Sequence, residues 1–131
     1  MDNYFQKVKN YITDLDYAIL MEDEADGLMV IESEEDGIKN LVLGIEDPLL
    51  IIEQSLVNLK DTSAETYLHL LQKNRDIIHG AFVIDESGKR VIFRDTLQIA
   101  TLDLNELEAT FNSLALLLSE YSEELLKVAE K

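Results

Sequence analysis

Four apolar runs separated by short acidic turns occupy the first half of the chain, and this pattern restricts the fold more than any other feature. The runs are rich in Ile, Val and Leu, and they read DYAILM, GLMVIES, IKNLVLGIE and LLIIEQSLVNL. Runs of this length bounded by turn residues are typical of β-strands. The simplest arrangement is four consecutive antiparallel strands. Pro48, the only proline, follows Asp47 and suits a turn or a sheet edge better than a central strand.

Helical periodicity precedes and follows these runs. Residues 2–15 place apolar side chains at three- and four-residue steps, which predicts an amphipathic helix. Thr62 and Glu65 have the spacing of a capping box and predict the start of a second helix. The strongest helical signal begins at Asp103 and continues to the C-terminal end, with apolar residues every three or four positions.

The stretch FVIDESGKRVIF, residues 82–93, lies between the second and third predicted helices. Its flanks have strand composition, and its centre contains Asp85, Ser87 and Gly88, which favour a turn. It therefore predicts a hairpin, and TLQIAT predicts a further strand segment after it. The whole order is helix, three or four strands, helix, two or three strands, helix. This order predicts one α+β domain over residues 1–131 with an antiparallel sheet.

Composition excludes several classes of function. The chain of 131 residues has no cysteine, which removes disulfides and thiolate metal sites, and we expect a cytoplasmic location. Its formal net charge of −16 repels phosphate backbones and anionic lipids, so neither nucleic acid nor membrane is an expected partner. No run of about 18 apolar residues and no signal peptide is evident in the sequence.

Residue patterns that carry chemistry are weak. The acidic turns EDEADG and ESEEDG match the start of a calcium loop, but their twelfth positions are Ser33 and Leu43 instead of Glu. His69 and His79 lack the spacing of a zinc motif, and the glycines form no phosphate-binding loop. We therefore predict no metal, no cofactor and no enzymatic activity, although a carboxylate pair acting in three dimensions is invisible to sequence.

Three features are candidates for contact with a partner. Arg90 and Arg94 lie four residues apart on one face of a predicted strand, where they would either clamp a partner carboxylate or neutralise the chain's own acids. Ile51, in the most apolar run, is either a core residue or part of a binding surface. Leu116 widens the apolar stripe of the last helix, which is covered on more than one side or leaves apolar surface for a partner.

The succession AFVIDESGKRVIFRDTLQIATLDLNELEATFNSL, with the element order and the acidic character, resembles the type III secretion chaperone-like fold, including its YbjN-like relatives. The resemblance implies a non-catalytic protein-binding module without a cofactor, often a homodimer, that holds protein segments on apolar surfaces. It also implies a dimer contact on the second helix. The residues at those positions are Tyr67, Leu68, Leu70 and Leu71.

The leading hypothesis is therefore a cytosolic chaperone-like or adaptor protein that captures a segment of a partner protein. Its partner-binding residues would be Ile51, Leu116, Arg90 and Arg94. Two other hypotheses are a small carboxylate-based enzyme or ligand sensor, and a structural homo-oligomer. A deep pocket with paired carboxylates near His79 would favour the enzyme or sensor, and a large self-complementary interface would favour the oligomer.

Overall fold

The computed structural model describes residues 3–129. Three α-helices and six β-strands follow one another in the order helix, four strands, helix, two strands, helix, which confirms the predicted α+β class. Their bounds are α1 Tyr4–Asp14, β1 Ala18–Asp23, β2 Leu28–Ser33, β3 Ile38–Glu46, β4 Leu49–Asn58, α2 Ala64–Lys73, β5 Ala81–Ile84, β6 Arg90–Gln98 and α3 Leu104–Val128. A short 3-10 turn, Asn74–Asp76, follows α2.

The six strands form one antiparallel sheet in the order β1-β2-β3-β4-β6-β5. The first four strands are the predicted meander, and β6 pairs with β4, which leaves β5 at one edge and β1 at the other. TLQIAT does not form a separate strand, because Thr96–Gln98 continue β6 and the chain turns after Ile99. Pro48 lies in the turn between β3 and β4, after a cis peptide bond.

One face of the sheet carries the core, which we call the covered face. Met29, Leu43 and Ile52 are opposite one another on neighbouring strands and are fully buried. α1 and α3 cover this face with the apolar stripes that periodicity predicts, including Ile12 and Phe111. Burial of these stripes supplies most of the stability of such helices.

Polar contacts fix both helices to the covered face. The Lys9 ammonium of α1 is 2.9 Å from a Glu22 carboxylate oxygen on β1. The Thr110 hydroxyl of α3 donates a hydrogen bond of 2.8 Å to the Asp95 carboxylate on β6. These contacts place α1 near the β1 edge and α3 across the middle of the sheet.

The helix starts follow local chemistry. Asp103 caps α3 as predicted, and its carboxylate accepts a hydrogen bond of 2.8 Å from the Glu106 N–H. The predicted cap of α2 was displaced by one residue. Ser63, not Thr62, has the extended backbone of an N-cap, and its hydroxyl accepts from the Thr66 N–H.

The stretch 82–93 forms the predicted hairpin. Gly88 adopts φ 77° in the turn, a conformation that favours glycine. The Asp85 carboxylate accepts hydrogen bonds from Ser87, which hold its pKa below the usual range. The Tyr67 hydroxyl of α2 donates to the Gly88 carbonyl, so this turn is also where α2 attaches to the sheet.

Candidate functional site

The second face of the sheet, here called the open face, points away from α1 and α3 and is also apolar. Its side chains alternate with those of the covered face, and six large apolar residues form its surface on β2 to β4 and the neighbouring β1. They are Met21 (43 % exposed), Leu28 (36 %), Val42 (38 %), Leu49 (37 %) and the half-buried Val30 and Ile51. A contiguous exposed apolar surface of this kind marks an interaction site more often than a plain solvent face.

Acidic residues lie at one end of this apolar surface. Asp23 and Glu46 end β1 and β3 at the same end of the sheet, beside the hairpin turns that continue the acidic sequence. Of the two calcium-like stretches, EDEADG forms the β1–β2 turn at this end, whereas ESEEDG forms the β2–β3 turn at the opposite end of the sheet. In the part of the chain from 3 to 129, no three His, Asp or Glu residues are placed to hold a metal ion. The surface is therefore apolar in its centre and negative at the end where Asp23 and Glu46 lie.

Arg94 and Arg90 lie on the open face with Ile51, as strand alternation predicts. Arg94 is directly opposite Glu53, and their Nη1 and Oε2 atoms are 3.1 Å apart. Arg90 donates a hydrogen bond of 2.7 Å to the Ser55 hydroxyl, and its Nε is 3.8 Å from an Asp85 oxygen. Both guanidinium groups thus have partners within the chain, and a carboxylate from outside would have to compete with them.

Leu116 lies on another surface of the molecule. It is exposed on the outer side of α3, next to the exposed Ile78, and the two border a small hollow together with Asp76 and Glu120. The structure therefore separates Leu116 from Ile51, Arg90 and Arg94 instead of bringing the four residues together.

The four α2 residues also divide into two groups. Leu70 is buried in the protein's own core, and Tyr67 is bonded to the β5–β6 turn. Leu68 and Leu71 are 55 % and 65 % exposed. Leu71 borders an apolar groove of about 330 Å³ between α2 and β5, the edge strand. Exposed leucines next to a sheet edge form a surface suited to another chain.

A cleft of about 340 Å³ separates α2 from α3. Apolar side chains line its floor, and charged groups border its mouth; they include Leu70, Phe82, Leu125 and Val128 below and Glu65, His69, Lys73 and Glu124 above. The Lys73 ammonium lies 2.6 Å from a Glu124 oxygen and 4.4 Å from the centre of the Tyr121 ring. The hydrogen bond from Lys73 lowers the pKa of Glu124, and His69 adds to the effect.

Sequence reasoning missed this cleft, because its walls are 51 residues apart in the chain (124 − 73). The only local sign was Lys73 in the last turn of α2. A cation at that position is already explained by its favourable interaction with the helix dipole.

Other groups with displaced pKa values have structural explanations. Burial against α3 raises the pKa of the Tyr17 phenol, whose ring centre is 4.8 Å from that of Phe111. A backbone hydrogen bond from Ser63 lowers the pKa of Asp61 at the start of α2. His79 is exposed, and its backbone N–H and carbonyl both bond the Ser113 hydroxyl. These arrangements stabilise turns and packing and do not assemble a nucleophile with a base.

The sheet order and helix placement define the class of protein: the chain has the type III secretion chaperone-like fold. A chain in the structure of the HopA1–SchA chaperone–effector complex matches with a TM-score of 0.67 at 15 % identity, over 94 % of this chain and 98 % of that one. YbjN from E. coli matches with a TM-score of 0.67 at 7 % identity, over 92 % of each chain. The Yersinia pestis type III secretion chaperone SycH, in complex with a fragment of YscM2, gives a TM-score of 0.60 at 14 % identity, over 96 % and 99 %.

The chain belongs to the CesT_Tir_1 family, whose model matches residues 1–131. No curated protein sequence matches the chain. Among the helices of the part described, none is both long and apolar enough to cross a lipid bilayer.

Proposed function

We propose that the protein is a non-catalytic, cytoplasmic chaperone-like protein that captures a segment of a partner protein on the open face of its sheet. The observation that carries this proposal is the contiguous apolar surface around Val42 and Ile51, which none of the helices in residues 3–129 covers. Removing such a surface from water is favourable in proportion to its apolar area. A partner segment is the simplest means of covering it.

Two further observations support the proposal. The matched structures include a chaperone–effector complex and a secretion chaperone bound to a fragment of another protein. The formal net charge of −16 and the acidic border of the open face favour partners that carry Lys or Arg near the captured segment. The negative charge would also speed their association at low ionic strength.

We also propose that the protein forms a homodimer through α2 and the β5 edge. Leu68 and Leu71 are exposed there, beside a strand whose outer edge has no neighbour within the described sheet. A two-fold contact would bring the leucines of one copy onto the groove of the other, which is the geometry of an isologous interface. In this arrangement Tyr67 and Leu70 hold α2 against its own chain, through the bond to Gly88 and through burial in the core.

The test of partner capture begins with purification of the protein and its partner from the native organism, followed by measurement of the affinity for that partner. Val42→Asp and Ile51→Asp place a charge on the open face, and we expect each to weaken binding by at least about tenfold. Leu116→Asp places the same charge on the outer side of α3 and is the matched control. Circular dichroism checks that all three variants are folded.

The outcomes distinguish the two candidate surfaces. Loss of binding in Leu116→Asp alone would move the site to α3. Unchanged binding in all three folded variants would contradict capture by either surface.

Sedimentation equilibrium tests the dimer. We expect Leu68→Asp with Leu71→Asp to give a folded monomer, because both side chains are exposed within one chain. A wild-type protein that is already monomeric at micromolar concentration would contradict this part of the proposal.

The α2–α3 cleft favours a second candidate, a ligand sensor. Its volume of about 340 Å³ is within the range of small-molecule sites. A fragment screen by NMR would detect ligand binding in the cleft through chemical-shift changes confined to cleft residues such as His69 and Tyr121. A screen in which no fragment shifts those residues would remove this candidate.

A further inference from the structure

Four of the five glycines in the chain have a backbone reason to be glycine. They adopt positive φ angles and are Gly27, Gly37, Gly80 and Gly88. Gly80 shows how strict the reason is, because a Cβ atom there would lie 2.5 Å from atoms of the buried Phe93 ring. Gly44, which lies in the middle of β3, has no positive φ.

The chain's own packing does not require glycine at position 44 either. A Cβ atom built there meets nothing closer than the Ile51 Cβ and oxygen atoms at 3.9 Å, which is ordinary contact. Glycine inside a strand costs stability, because it restricts a flexible backbone and offers no side chain to pack. A β-branched residue would suit this strand position better. A glycine that the fold does not need, inside a strand, often marks a place where another molecule approaches closely.

Gly44 lies on the open face, at the centre of the apolar surface. It is directly opposite Leu28 on β2 and Ile51 on β4, and Val42 precedes it on the same face. The missing side chain therefore leaves a hollow bordered by three apolar side chains. We call this hollow the Gly44 notch.

We propose that the Gly44 notch receives one large apolar side chain, of Leu, Ile, Met or Phe size, from a partner polypeptide that carries Lys or Arg next to that residue. The inference rests on the proposed function and adds the chemistry of the partner. The notch supplies apolar contact on three sides, so a side chain seated there buries apolar area as central anchor residues of interfaces do.

Charge around the notch determines the flanking residues. Glu46 follows on the same strand and face, Asp23 is opposite Leu28 on β1, and Glu53 pairs with Val42. Glu53 is engaged by Arg94, whereas Glu46 and Asp23 add negative charge at the end of the sheet nearest the notch. A basic residue beside the anchor would meet this charge, and an acidic one would be repelled.

The same charges disfavour a second copy of this chain as the occupant. A two-fold contact through the open face would place Asp23 and Glu46 of one copy near the acids of the other. Because the acids at this end of the open face are negative in both copies, that contact would be repulsive there. A basic partner segment has no such cost.

The probe for the test is a displayed library of random 15-residue peptides, selected separately on the wild-type protein and on Gly44→Val. Gly44→Ala gives a smaller filling of the same notch. Ala81→Val is the matched control, since it also enlarges a small open-face residue to valine but on β5, across two intervening strands. Thermal unfolding of each protein and fluorescence anisotropy of individual selected peptides complete the measurements.

We expect wild-type protein to select peptides with a large apolar residue flanked by Lys or Arg. Gly44→Val should bind these peptides at least about tenfold more weakly, Gly44→Ala should be intermediate, and Ala81→Val should bind like wild type. Gly44→Val should itself select peptides with Ala or Gly at the anchor position. The unfolding temperature of all three variants should be close to that of the wild-type protein or above it.

The outcomes separate this inference from the proposed function. Peptides that bind wild type and Gly44→Val equally would overturn the notch and leave segment capture intact. Selection of no peptides by the wild-type protein would overturn both. A wild-type protein that self-associates, and loses this association in Gly44→Val, would make a second copy the occupant and overturn the assignment to a basic partner.

Discussion

The two faces of the sheet are built from similar residues and differ in what covers them. Along β3, Leu43 is fully buried under the helices, whereas its neighbour Val42 is 38 % exposed on the open face. If the chain's own helices were the only cover for apolar side chains, we would expect such side chains on the covered face alone. The difference shows that the sequence places apolar residues where its own fold leaves them in contact with water, and such residues need a reason outside the fold.

Truncation of the two neighbours on β3 gives the largest expected contrast. Leu43→Ala leaves a cavity in the core and should lower the free energy of unfolding by about 2–5 kcal/mol. Val42→Ala should lower it by less than about 1 kcal/mol, because its side chain is already partly in water. Urea unfolding measures both. Similar losses for the two variants would mean that the open face is covered in the isolated protein, for example by a second copy.

The glycines of the two faces provide the next contrast. Gly80→Ala combines a positive φ of 86° with a Cβ atom 2.5 Å from the Phe93 ring, which is part of the covered face. The strained backbone alone should cost about 1–3 kcal/mol, and the clash adds to it. Gly44→Ala should leave the free energy of unfolding unchanged or raise it by up to about 1 kcal/mol. A large loss of thermal stability in Gly44→Ala would show that the open face is already filled at that position.

Much of the fold could be predicted from the sequence because its signals are local. Alternation along β6 correctly placed Arg90 and Arg94 on one face and Val91 and Phe93 on the other, and the latter two are buried. The capping residue Asp103 fixed the start of α3 for the same reason. Each of these signals depends on residues within a few positions of one another.

The surfaces could not be predicted to the same degree, because they depend on distant parts of the chain. Periodicity identified the leucines of α2 but did not show that Leu70 faces the core while Leu68 and Leu71 face outward. Nor did it show that Leu116 and Ile51 lie on separate surfaces. An apolar strand reads the same whether one face or both are buried, so only the three-dimensional order of the helices revealed the open face.

The comparison of the two faces can be repeated with polar groups at Asp95 and Arg94, which are adjacent on β6 and lie on opposite faces. On the covered face, Thr110→Val removes the hydroxyl that donates to Asp95, while keeping the shape of the side chain. The half-buried carboxylate loses the hydrogen bond to one of its oxygens and keeps only the bond from the Thr96 N–H, and we expect a cost of about 1–2 kcal/mol. On the open face, Arg94→Gln breaks the pair with Glu53 in water and should cost less than about 1 kcal/mol. Urea unfolding with the reverse ranking would show that the Glu53–Arg94 pair is shielded by a bound molecule.

The smallest expected effect lies outside both faces, where Glu124 joins α3 to α2. The hydrogen bond from Lys73 lowers the pKa of Glu124, so this pair stabilises the folded protein above the unfolded carboxyl pKa of about 4.3 and is lost as the pH falls through the lower folded value. Glu124→Gln should therefore reduce stability at pH 7 by less than about 1 kcal/mol and have no effect at a pH below both values. Glu123→Gln, at the adjacent exposed position, is the control. Urea unfolding at the two pH values measures the difference, and a Glu124→Gln effect that persists in acid would show that the side chain acts by packing in the α2–α3 cleft instead of by charge.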